Sequence, residues 1–163
     1  MTIAAILADV ALYRPGYVTV TGGEPLAQKG CQILLAELCG AGYEVSLETS
    51  GALDVSQVDP RVIKVMDIKT PGSGEVNKNL YQNIAHLDRK DQVKFVLCDE
   101  QDYQWAKRIM NEYNLAAVCE ILFSPAYMQL EAARLADWIL ADRLPARMQI
   151  QLHKYLWGDV PGR

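Results

Sequence analysis

Thr21-Gly22-Gly23-Glu24-Pro25 breaks out of a β-branched run, Tyr17-Val18-Thr19-Val20, and places two glycines beside a carboxylate. Backbone amides at a glycine turn or a helix N-terminus suit a carboxylate or another anion. Glu24 can accept from an ammonium group, so the pair suits a zwitterionic amino-acid moiety. Further polar residues recur along the chain: Glu48-Thr49-Ser50-Gly51, Asp67 and Lys69, Gln92 and Lys94, Ser124-Pro125, and Gln149, Gln151 and His153. Each has a plain structural reading alone, as a tight turn, an N-cap, a rim ion pair or a satisfied histidine. Together they point to one ligand pocket. No serine or cysteine has a histidine placed to activate it. Neither a G-x-x-x-x-G-K-[ST] loop nor a G-x-G-x-x-G turn occurs. Hydrolase and kinase chemistry therefore lose ground.

The elements that must position these residues alternate. Ile3, Ile6, Leu7, Val10 and Ala11 give residues 2–13 a helical spacing. Strands are expected at 17–21, 43–49, 62–68, 92–98, 119–123 and 147–153. Helices are expected at 27–41, 80–87, from Asp99 or Asp102 to 113, and at 129–142. Residues 70–79, Thr-Pro-Gly-Ser-Gly-Glu-Val-Asn-Lys-Asn, read as a flexible loop. Strands separated by helical crossovers imply an α/β fold with a mostly parallel sheet or open barrel, in one domain spanning 1–163. In such a fold ligands sit at the carboxyl ends of the strands. Every expected strand ends in a polar group. In the last, alternation sets Gln149, Gln151 and His153 opposite three apolar residues.

Bulk composition narrows the function further. The chain has 163 residues, half of them hydrophobic, and a formal net charge of -4 with no basic block. A phosphate-tracking nucleic-acid surface is not expected. No basic n-region precedes the first apolar stretch, which Asp9 interrupts, so no signal peptide is expected. No run reaches the roughly eighteen apolar residues of a membrane span. The four cysteines, Cys31, Cys39, Cys98 and Cys119, have no C-x-x-C spacing and no neighbouring histidine. They read as free thiols in a reducing cytoplasm, with a metal site as the alternative.

Thr21-Gly22-Gly23-Glu24-Pro25 resembles the motif with which radical S-adenosylmethionine enzymes hold the methionine amino group. Four further stretches follow in order: Glu48-Thr49-Ser50-Gly51, Asp67-Ile68-Lys69-Thr70-Pro71-Gly72-Ser73-Gly74-Glu75, Gln92-Val93-Lys94-Phe95-Val96 and Gln151-Leu152-His153-Lys154-Tyr155-Leu156-Trp157-Gly158-Asp159. With them the whole chain resembles the 7-carboxy-7-deazaguanine synthase family of queuosine biosynthesis. The resemblance implies a radical lyase converting 6-carboxy-5,6,7,8-tetrahydropterin to 7-carboxy-7-deazaguanine with loss of ammonia. Its cofactors are S-adenosylmethionine, a [4Fe-4S] cluster and Mg2+. By motif, Gly22, Gly23, Glu24, Gly51, Gln92, Lys94, Ser124 and Tyr127 fall to S-adenosylmethionine. Thr49, His153 and the C-terminal carboxylate of Arg163 fall to the pterin. The family is typically dimeric, so a homodimer is a further expectation.

One departure stands out. The family carries a first strand and a C-x-x-x-C-x-x-C-type loop before its GGEP strand. This chain starts in what would be the next helix, so the expected fold is an incomplete (βα)6-type partial barrel lacking that strand and loop. The four cysteines do not have the loop's spacing. Residues 1–163 are therefore expected to hold no cluster or Mg2+ and to be inactive alone. Two other readings stay open: a remnant that binds S-adenosylmethionine or a purine-like ligand without catalysis, and an interaction protein that completes its bare sheet edge with a partner strand.

Overall fold

Alternating buried and half-buried residues give three of the four central strands one face against helices and one toward the site. In the computed structural model, which describes residues 1–158 and 160, β1 (Tyr17–Val20), β2 (Glu44–Thr49), β3 (Ile63–Asp67), β4 (Gln92–Leu97), β5 (Glu120–Pro125) and β6 (Arg147–Met148) form one six-stranded sheet. Its order is β1-β2-β3-β4-β5-β6, and every pairing is parallel. The sheet stays open, as expected of a partial barrel. β1 and β6 are its edges.

The helices α1 (Ile3–Tyr13), α2 (Cys31–Gly40), α3 (Glu100–Glu112), α4 (Leu115–Val118) and α5 (Ala132–Asp142) lie between strands or before the first of them. Leu35 and Leu38 of α2 pack with Val45 and Leu47 of β2 in one core cluster. A larger cluster joins Tyr103, Ala106 and Ile109 of α3 and Leu135 of α5 to Val93, Phe95 and Phe123. The spacing of those α3 residues, three apart, keeps them on one helix face. Asp99 begins α3 as its N-cap, accepting from the Asp102 amide at 2.9 Å.

Several sequence expectations need correction. The helix expected at 27–41 is a 3-10 turn at Pro25–Ala27 followed, after a break, by α2. Glu24 accepts from the Leu26 amide and so caps that short turn by itself. Residues 81–86 are 3-10 and not α-helical, because Asn83 turns inward to bond other loops. The helix expected at 129–142 begins only at Ala132, after Met128 has taken a left-handed φ of 60°.

The largest correction concerns the last strand. β6 has two residues, and after Gln149 has given its amide to the Phe123 carbonyl the chain leaves the sheet. The next β5 residue facing that side, Pro125, has no N–H to continue the ladder. Residues Leu152–Trp157 then form a helix, α6, with none of its residues buried. The alternation read into Gln149, Gln151 and His153 is thus not a strand pattern.

The stretch 70–79 is also no free loop. It holds two 3-10 turns, Pro71–Ser73 and Val76–Lys78. The buried Asp102 carboxylate accepts from Thr70 Oγ1 at 2.8 Å, the Gly72 amide at 2.8 Å and the Cys98 amide at 3.0 Å. A Cβ on Gly72 would lie 2.5 Å from Asp102 Oδ2, so only glycine lets the backbone come this close.

Candidate functional site at the carboxyl ends of the strands

The chain after β1 turns through Gly22 and Gly23, both at positive φ (98° and 57°), and delivers Glu24 across to the end of β2. One carboxylate oxygen accepts from the Leu26 amide at 3.1 Å and from Thr49 Oγ1 at 2.9 Å. The other accepts from the Ser50 amide at 2.7 Å and from Ser50 Oγ. Burial pushes the Glu24 carboxyl up. The Ser50, Leu26 and Thr49 hydrogen bonds outweigh it and hold the group below the usual glutamate range. Thr49 is buried on the helix side of the sheet, and its hydroxyl also accepts from the Gly51 amide at 3.3 Å.

Gly51 is fixed by its surroundings. Its φ is +71°, and a Cβ there would meet the Asp67 carbonyl oxygen at 2.7 Å. Asn83, fully buried, donates to the Gly51 carbonyl at 3.2 Å and the Leu53 carbonyl at 2.8 Å and accepts from the Val55 amide. Asn79 holds Lys69 in the same manner, accepting from its amide and donating to its carbonyl. The ends of β2 and β3 are therefore pinned by two asparagines from the segment that follows β3.

On the opposite sheet face charges alternate. Lys94 Nζ lies 3.2 Å from Asp67 Oδ1 and 3.6 Å from Glu48 Oε2, and Lys69 Nζ lies 2.9 Å from Asp67 Oδ2. Asp67 Oδ1 is buried and meets Lys94 at ion-pair distance without hydrogen-bond geometry. Burial pulls the Lys94 ammonium down, but the carboxylates of Asp67 and Glu48 outweigh it and raise its pKa. Beside this chain lies a cavity of about 240 Å³ lined by Glu48, Lys94, Ser124 and His153, with Gln149 and Gln151. It adjoins a more apolar one of about 280 Å³, lined by Pro125, Ala126, Tyr127, Ile150 and Tyr155. The wider cleft between α3 and α5, about 730 Å³ with Cys98, Arg108 and Arg134, contains none of the residues expected to bind ligand.

The structure thus gathers most residues singled out in the sequence into two groups at one sheet edge. Gly22, Gly23, Glu24, Thr49 and Gly51 form the first. Lys94, Ser124, Tyr127 and His153 line the two adjoining cavities of the second. Gln92 is not brought there. It begins β4 at the amino edge, where its amide donates to Glu120 at 2.8 Å. Arg163 lies outside the described residues. Asn79, Asn83 and Asp102 escaped sequence reasoning, because an amide in an expected glycine-containing loop, or an amide or acid in an expected helix, looks like a solvent-facing residue. A faint signal existed for Asp102, an acid in the first turn of a helix already capped by Asp99.

The cysteines do not fit an iron–sulfur cluster. All four are free; Cys31 and Cys39 lie in α2, Cys98 after β4, and Cys119 before β5 at the opposite sheet edge. Burial pushes every one of these thiols up, Cys119 to about 11, which opposes the thiolate that iron requires. Among the described residues no three His, Cys, Asp or Glu side chains converge as metal ligands. The donor set at the GGEP turn does fit a zwitterion: peptide groups at positive-φ glycines beside an ionised carboxylate, with the Lys94 ammonium across the edge. No helix among the described residues is long and apolar enough to cross a membrane.

Relatives decide what this edge belongs to. The 7-carboxy-7-deazaguanine synthase of Chlorobaculum tepidum is 44% identical over 161 residues, a match covering 97% of this chain and 73% of that protein. The chain belongs to the 7-carboxy-7-deazaguanine synthase family. Proteins of the same name from Methanospirillum hungatei and Koribacter versatilis are 40% and 35% identical, covering 65% and 74% of their lengths. No family profile matches. Among solved structures, QueE from Escherichia coli superposes with a TM-score of 0.71 at 19% identity, over 93% of this chain and 64% of that one. SuiB from Streptococcus suis, solved bound to S-adenosylmethionine, superposes with a TM-score of 0.54 at 11% identity, over 82% and 37%. At these identities the two structures establish the shared fold. QueE and SuiB thus share the fold of the parallel sheet described above.

Proposed function

We propose that this chain forms the S-adenosylmethionine and pterin side of a 7-carboxy-7-deazaguanine synthase. The reaction is conversion of 6-carboxy-5,6,7,8-tetrahydropterin to 7-carboxy-7-deazaguanine with loss of ammonia. The observation that carries this reading is the gathering of the GGEP turn, Gly51, Lys94, Ser124 and His153 on one carboxyl edge of a chain 44% identical to such a synthase. The Gly22-Gly23 turn receives the methionine amino group, with the ionised Glu24 supplying negative charge beside it. The Lys94 ammonium offers a cation to a carboxylate, and the cavity holding Ser124 and Tyr127 receives the nucleoside. His153, which lines the cavity with Lys94, faces the pterin. Bound S-adenosylmethionine supplies the radical chemistry of the family. The described residues provide no ligand set for the cluster or Mg2+, so no step is derived through either.

Residues 1–163 fold as a single domain in this reading, supported by the one sheet that runs from residue 17 to 148. Four free cysteines agree with a reducing cytoplasm. Exposed Met128, Tyr155 and Trp157 agree with a homodimer. The scattered thiols also favour a second reading, that residues 1–163 alone bind S-adenosylmethionine without turning over.

Calorimetry with S-adenosylmethionine and with the pterin tests the proposal. Saturable heat is expected with each, weakened in Lys94→Ala. Silence with both at millimolar ligand rejects it. Anaerobic reconstitution separates the two readings: turnover supports the synthase, and binding without iron–thiolate absorbance supports the second.

A further inference from the structure

The Glu24 carboxylate is saturated by its own chain. Leu26 N and Thr49 Oγ1 donate to one oxygen, and Ser50 N and Ser50 Oγ donate to the other. Two carboxylate oxygens offer about four acceptor directions. A ligand ammonium therefore finds no vacant direction. Displacing a donor would leave a part-buried N–H or O–H unmade, which is costly. No hydrogen bond among the described residues engages the peptide groups of Gly22 and Gly23, and both glycines are exposed.

We propose that Glu24 is a positioning residue, acting through Ser50 and Thr49, while the Gly22-Gly23 peptide groups meet the ligand amino group. This rests on the S-adenosylmethionine reading given above. Ser50 carries half of the clamp, through its amide and its hydroxyl. The clamp extends along the edge: Thr49 Oγ1 takes the Gly51 amide, and Gly51 presses its backbone on the Asp67 carbonyl. The carboxylate of the β1 turn thus sets where the ends of β2 and β3 stand. Its negative charge still favours a cation nearby, at longer range than a direct hydrogen bond.

The test uses the whole chain and five proteins: wild type, Glu24→Gln, Ser50→Ala, Ser50→Thr, and the Glu24→Gln/Ser50→Ala double variant. S-adenosylmethionine affinity is measured by calorimetry, and amide hydrogen exchange at residues 49–51 without ligand. Ser50→Ala and Glu24→Gln are each expected to weaken binding about tenfold, the size of one lost hydrogen bond to a charged group. The double variant should bind no worse than the weaker single variant, because both break the same clamp. Ser50→Thr, which keeps the hydroxyl, should restore wild-type affinity. Wild-type affinity in Ser50→Ala beside a large loss in Glu24→Gln overturns the proposal, for then the carboxylate meets the ammonium directly. Additive losses in the double variant overturn it too. If wild type binds no S-adenosylmethionine, the cofactor reading fails by itself and exchange decides the clamp. Faster exchange of the Ser50 amide in Glu24→Gln supports it, and an unchanged rate rejects it.

Discussion

The carboxyl edge from β1 to β4 and the edge at β5 and β6 are built on opposite plans. On the first, buried or half-buried polar side chains from distant segments close every turn: Glu24 on Ser50, Asn83 on Gly51, Asn79 on Lys69 and Asp102 on Gly72. On the second, β6 is two residues long and α6 has no buried residue, with Leu152 56% and Trp157 52% exposed. The difference teaches where rigidity comes from in this sheet. It follows not from strand length but from how many loop donors and acceptors find a partner away from water, where an unmade bond is costly. The pinned side holds the GGEP turn and Gly51 in place. The unpinned side carries His153 and the apolar cavity wall, and with few buried contacts it is where local unfolding is expected to begin.

The largest effect should come from Asp102→Ala. It strips the Gly72 and Cys98 amides of their acceptor and leaves the Thr70 hydroxyl only the Val96 carbonyl, and a loss of about 3–5 kcal/mol in denaturant unfolding is expected. A loss under about 1 kcal/mol would break the claim that this carboxylate pins the segment after β3. Asn83→Ala should follow, at about 2–3 kcal/mol, because the Val55 amide and the Leu53 carbonyl lose their partner and the Gly51 carbonyl keeps only the Leu80 amide. Hydrogen exchange at Gly51 to Val55 should quicken in that variant, while α6 exchanges as before.

A smaller effect concerns pH. The folded-state pKa of Glu24 is depressed, so its contribution is full above the ordinary value of 4.5 and fades as pH falls through the lower folded value. The stability gap between wild type and Glu24→Gln should therefore narrow below pH 4.5, measured by melts across that range. A gap constant down to strong acid would remove the charged clamp from the comparison. The smallest effect belongs to the unpinned side. Trp157→Ser is expected to change stability by no more than about 0.5 kcal/mol, as for other exposed sites. A loss several times larger would show that α6 is packed after all and erase the contrast.

The central strands were legible because each reads as alternating or continuous apolar residues that must be buried on at least one face. β2 and β4 fall within a residue of their expected bounds. The site was legible in part for the same reason, since parallel strands bring their carboxyl ends to one edge. The reading failed where a residue's partner is far along the chain. Nothing near Asp102 announces Thr70 and Gly72, thirty residues before it. The same period of two that marks a real strand in Val45 to Thr49 misled in Gln149 to His153, because a ladder also needs a donor on its neighbour and Pro125 has none.

The sequence by itself determined the parallel α/β order, the synthase family and the residue types at the strand ends, because these follow from periodicity and local motifs. Only the tertiary structure decided which of those residues are free to meet a ligand. It shows Glu24 filled by Thr49, Ser50 and Leu26 and Gln92 held by Glu120 at the far edge, whereas Lys94, paired with Asp67 and Glu48, still lines the cavity with Ser124 and His153. Hydrogen bonds and ion pairs are settled by distances between atoms. Those distances belong to the folded chain and not to the order of its residues.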